Sequence, residues 1–143
     1  VVGGDPRSDS TYRTQSTPKV KYGTVALDPL TGNIYMFVQA GAIIPINSAV
    51  TLNGALNQAI ATSAAQQLVV GVADTAFASG DSGWIMTDGV VVALVNAAVV
   101  AGNLLVSYAT AGSLQLAAAT DFVSRGAMAL TAASGGLATI YLA

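Results

Sequence analysis

The sequence contains no cysteine and no histidine, and its seven acidic residues are all Asp. Disulfides and thiolate zinc sites are thereby excluded, and the redox compartment is left open. A serine nucleophile would have no imidazole to activate it, and the only lysines, Lys19 and Lys21, lie together near the N-terminus. Ser–His–Asp catalysis is therefore ruled out and Ser–Lys catalysis has no suitable base. No Gly-rich loop runs into Lys-Ser or Lys-Thr, which removes the P-loop. Charge is scarce as well. Charged residues make up 8% of the chain, against roughly a quarter in ordinary soluble domains. Four of the five cations, Arg7, Arg13, Lys19 and Lys21, are gathered in one short stretch, too few for a phosphate-binding face, so no nucleic acid is expected. No enzyme, cofactor or metal follows from this composition.

What remains is apolar and small. Hydrophobic residues reach 53%, much of it Ala and Val, so the surface has to be made from Ala, Ser, Thr, Gly, Asn and Gln. With a net charge of −2, such a surface does little to keep copies apart and suits wide contact with protein. An oligomer or a subunit of a larger assembly is expected. The 143 residues are enough for one domain with a real core. The one stretch resembling a membrane span, Gly89 to Val106, is broken by Asn96, Gly102 and Asn103 and is rich in β-branched Val. It reads as strand–turn–strand, and no membrane partner is expected. The first twenty residues are polar and lack the apolar core of a signal peptide.

Residues 1–21 are read as an extended N-terminal arm, too poor in aliphatic side chains to order alone. Nineteen extended residues could reach about 60 Å. The candidate contact residues of the arm are Arg7, Tyr12, Arg13, Lys19 and Lys21, facing a less basic partner. Residues 22–143 form the β domain. Within it Gly71, Ser79 and Gly80 match Gly126, Ser134 and Gly135 at one common offset, which predicts two tandem repeats, about 42–96 and 98–143.

Turn signals recur every eight to twelve residues, so the expected fold is all-β, a small sandwich or barrel. Lys21–Leu27 and Ile34–Val38 read as a hairpin around Asp28-Pro29-Leu30-Thr31-Gly32-Asn33. Further strands are expected at 42–46, 49–52, 58–61, 68–73, 84–87, 90–95, 104–108, 114–117, 127–130 and 137–142. The pair 84–87 and 90–95 is read as joined by a tight turn at Thr87-Asp88-Gly89. Short helical turns are expected at 62–67 and 118–124.

Several motifs look chemical. Asp81-Ser82-Gly83 has the letters of an aspartic protease but follows a loop, and Asp74-Thr75-Ala76 follows a strand but lacks the turn Gly. The second repeat has Ala129 and Gly136 at the matching places, so only a homodimer could build a dyad. Loop capping is the reading preferred for these Asp. Asp74, Asp81 and Asp88 do not have the spacing of a calcium loop. Trp84, the sole Trp, is read as a core or interface anchor ahead of a sugar platform.

The run VVGVADTAFASGDSGWIMTDGVVVALVNAAVVAGNLLVSYATAGSLQLA, followed by RGAMALTAASGGLATIYLA, resembles the small capsid cement, or head decoration, proteins of tailed bacteriophages. The likeness covers about residues 41–143 and rests on Gly/Ala turn patterns. This chain departs from them in having Asn103 after Ala101-Gly102, and Arg125-Gly126 in place of Gly-Arg. The resemblance implies a structural virion protein on the outer surface of the capsid, clamping neighbouring major capsid proteins. It implies a homo-oligomer, with a trimer favoured over a dimer. Trp84 and Tyr108, the aromatic candidates within the β domain, are read as the inter-subunit contacts of such an oligomer. Two other readings stand beside it: a head-fibre or tail module binding a host glycan, and, more remotely, a dimeric aspartic protease.

Overall fold

The computed structural model describes residues 21–53, 58–64, 67–118, 121 and 126–143. Ten strands account for the regular structure: β1 (Val25–Leu27), β2 (Ile34–Ala40), β3 (Ser48–Leu52), β4 (Gln58–Ala61), β5 (Gly71–Ala73), β6 (Ser82–Leu94), β7 (Leu105–Ser107), β8 (Leu114–Leu116), β9 (Ala127–Ala129) and β10 (Leu137–Leu142). The fold is all-β, and no helix occurs among the described residues. The helical turn expected at 62–67 is absent from its described part. Most of the one expected at 118–124 lies outside the described residues. Residues 42–46 form a single bridge, Ile44 to Phe77, where a strand is expected.

The hairpin β1–β2 turns on Asp28 as its sequence suggests. The carboxylate is 1% exposed and accepts from the Leu30 N–H (2.9 Å) and the Thr31 hydroxyl (2.8 Å). These bonds satisfy a buried charge that would otherwise carry a large desolvation cost. From β2 the pairings run β2-β4-β3-β5-β6, and β6 pairs back to β2, which closes a ring of five strands. All these pairings are antiparallel except β2–β4. Closure leaves few free edges on these strands.

β6 is the strand the sequence divides in two. Ser82 to Asp88 pair with β2, and Gly89 to Leu94 pair with β10, so the strand runs straight through the expected turn. Its register against β2 slips between Ile34 and Tyr35, leaving Thr87 as the extra residue of a bulge. Gly89 follows with φ of 122°, a region that side chains rarely enter. The residue types that make a tight turn thus make a bend instead, because β10 takes up the pairing where β2 ends. Asn33 fastens the bend, accepting from the Val90 N–H (3.2 Å) and donating to the Val90 carbonyl (3.3 Å).

Alternation along the ring strands feeds two cores. Met36, Val38, Ala40, Val50, Ala73 and Ile85, with Ile44 and Phe77, make one. Tyr35, Phe37, Ala49, Val72, Trp84 and Met86 face the other, which the second half of the chain covers with Leu105, Leu114, Ala129, Ala138, Ile140 and Leu142. Strands buried on both faces explain the unbroken apolar runs in the sequence. The halves are also tied by hydrogen bonds. Ala49 N–H donates to Gly112 O (2.8 Å), Gly112 N–H to Thr62 O (2.7 Å), and Gln67 N–H to the Ser107 hydroxyl (2.6 Å).

The strand order β4-β3-β5-β6 has a parallel in the second half. β8 pairs β7, β9 pairs β10, and a Leu104–Met128 bridge stands where β3 pairs β5. The matched glycines are less alike. A Cβ on Gly71 would lie 2.5 Å from the Met86 carbonyl oxygen, whereas one on Gly126 would meet nothing nearer than Ala143 at 3.8 Å. Gly71→Ala should therefore cost on the order of 2–3 kcal/mol in urea unfolding, and Gly126→Ala no more than about 0.5 kcal/mol.

Candidate interaction surfaces

Six of the fourteen exposed large apolar residues among those described gather on one face. Registers place Leu104 opposite Met128, Met128 opposite Tyr141 and Tyr141 opposite Val90. Residues directly opposite in a sheet share a face, so the four form one row across the sheet. They are 51%, 37%, 44% and 48% exposed, in that order. Three strand spacings of about 4.8 Å make the row about 14 Å wide. Val92, two residues on from Val90, and Leu130, two on from Met128, extend it and are also exposed. The alternate row, Ala129, Ile140 and Val91, is buried. Both faces of these strands are thus apolar, and only one is covered. No charged side chain belongs to the exposed row.

The residues singled out in the sequence fall elsewhere. Trp84 is 5% exposed and packs edge-on to Phe37, with centroids 5.2 Å apart. It is therefore a core residue, which corrects its assignment as an inter-subunit anchor: β2 and β5 flank its strand, and the second half of the chain covers its outer face. A buried indole also gives a sugar nothing to stack on. Phe37 in turn stacks on Tyr22 at 5.6 Å, and the Tyr22 and Ser82 hydroxyls lie 3.0 Å apart. This aromatic file pins the chain directly after Lys21, whose side chain is exposed. Tyr108 is half-buried in the β7–β8 turn, where its N–H donates to Ser113 O (2.9 Å). Arg7, Tyr12, Arg13 and Lys19 lie outside the described residues.

The acidic residues hold loops. Asp81 accepts from the Ala78 N–H (2.9 Å) and Asp121 from the Ala118 N–H (2.7 Å). Ser82 and Gly83 begin β6, so Asp81 lies at the foot of a strand whereas a protease aspartate follows one. Among the described residues no three His, Cys, Asp or Glu side chains gather as a metal site. No helix is long and apolar enough to cross a membrane among the described residues. No family model and no curated protein matches the chain.

The six-residue face could not be read from the sequence, because alternation marks both faces as apolar and only register shows which is covered. The exposed Tyr141 within LATIYL was its one visible sign. Tyr141→Lys should leave unfolding stability within about 0.5 kcal/mol, since the side chain is exposed. It should also lower the weight-average mass seen in sedimentation; an unchanged mass would remove this face from self-association.

Proposed function

We propose that the chain is a structural virion protein, a capsid cement protein that binds the outer surface of a phage head and stabilises contacts between major capsid proteins. The observation that carries this reading is the uncharged apolar row Leu104, Met128, Tyr141 and Val90. A monomeric protein rarely leaves a contiguous apolar surface of that kind uncovered, and protein contact is its usual use. Charged residues at 8% of the chain fit a subunit stabilised by its neighbours, and the resemblance over residues 41–143 points the same way. The protein acts without catalysis: it associates with itself, as a trimer, through the apolar face, and with the major capsid protein through its remaining surface, while its arm reaches across the lattice to a neighbour. An arm that orders on a neighbour adds contact area at an entropic cost that the assembled lattice offsets.

Purified heads carrying the protein should hold hundreds of copies and resist heat and low ionic strength better than heads stripped of it. Heads decorated with a version lacking residues 1–21 should be intermediate. A copy number of a dozen or fewer, or equal stability of bare and decorated heads, would overturn the reading.

A further inference from the structure

A cavity of about 320 Å³ opens at the bend of β6. Its wall has two characters. Met86, Val90, Val91 and Val92 are apolar, while Asp74, Asn47, Asn33, Tyr35 and Thr139 bring polar atoms. Among the described residues of the lining, Asp74 is the only charged one. Asn47 is fixed at the rim in a left-handed conformation, φ 65°, by the bond from its N–H to Ala73 O (2.6 Å) and the bond from Leu94 N–H to its carbonyl (2.8 Å). The amide of Asn33 is engaged with Val90.

One carboxylate is too few for a calcium ion, which takes six to eight oxygens, commonly from several carboxylates. It matches a single organic cation. A lining that combines an apolar wall with a carboxylate, amides and hydroxyls suits a side chain with an aliphatic stem and a charged head, which describes Arg and Lys. The chain itself supplies such groups in a separate place. Residues 1–21 hold four cations against Asp5 and Asp9, a net +2, and residues 22–143 hold Arg125 against five Asp, a net −4. Position is compatible with a meeting as well. Val90, Val92 and Thr139 belong both to the cavity and to the sheet face of the apolar row, so the cavity opens beside the surface that self-association would cover.

We infer that the cavity is a docking site for a basic side chain from the arm of a neighbouring copy, Arg7, Arg13 or Lys19, with Asp74 as counter-ion and Val90 and Val92 along the stem. The inference rests on the self-association reading for the source of the arm, though not on any capsid.

The test uses the full-length chain with Arg7→Ala, Arg13→Ala and Lys19→Ala, titrated at low salt with a labelled peptide of residues 1–21. Saturable binding of one peptide per chain is expected, weakened at least about tenfold by adding Asp74→Asn, the usual scale for a lost charged hydrogen bond. Val92→Lys, an exposed change that places a cation at the rim, should weaken binding similarly. Blue-shifted emission from buried Trp84 checks that each variant is folded. Absence of saturable binding, or equal affinity with and without Asp74, overturns the site. The unaltered chain, diluted until monomeric, should bind the peptide as tightly as the cation-free chain; tenfold weaker binding there would assign the cavity to the chain's own arm and overturn docking between copies. A chain that passes these tests yet fails to bind heads retains the site and loses only the cement function.

Discussion

The pairing of β6 with two different partners is the constraint on which the structure depends. Its first seven residues complete the five-stranded ring against β2, and its last six carry β10 and, beyond it, β9. Without the bulge at Thr87 and the positive φ of Gly89, the strand could not leave one partner and meet the next. Asn33 replaces the lost ladder bonds at that point by holding both polar backbone groups of Val90. A bend that would be an edge defect elsewhere is here a satisfied joint.

That joint determines where apolar side chains go. Because the second half of the chain lies over the outer face of the ring, Trp84, Phe37 and Tyr35 are buried on what would be the wet side of an isolated barrel. The second half has no corresponding cover. Ile140, Ala129 and Val91 close the inner core, while Tyr141, Met128, Val90 and Leu104 are left facing outward. A small domain with two apolar sheet faces and one covering layer leaves one of those faces exposed.

Scarcity of charge has a second consequence. With five Asp and one Arg in residues 22–143, most carboxylates serve local geometry: Asp28, Asp81 and Asp121 each accept backbone N–H groups in turns. Asp74 differs in lining a cavity. Along the sequence the charge is uneven despite a net charge of only −2: residues 1–21 sum to +2 and residues 22–143 to −4.

Much of the fold was legible in the residues alone. The alternation of LATIYL, the turn chemistry of Asp28 to Asn33 and the absence of helical periodicity give an all-β chain, and β2, β3, β4 and β10 fall where their patterns lie. Local chemistry could not show that Thr87-Asp88-Gly89 is a bend within a strand, since a tight turn and a bulge draw on the same residue types and differ only in whether a new partner strand is present. The matching of Gly71 with Gly126 likewise concealed a difference: Gly71 has backbone pressed against it, and Gly126 has room for a Cβ in ordinary van der Waals contact with Ala143. By itself the sequence determined the fold class, the absence of imidazole and thiol groups, and the gathering of cations in residues 1–21 ahead of a net-acidic remainder, because these follow from composition and local period. The tertiary structure alone decided that Trp84 is core, that Leu104, Met128, Tyr141 and Val90 form one exposed face, and that Asp74 stands in a cavity. Each of those depends on strand register across long separations in the chain, and register is fixed only when the strands meet.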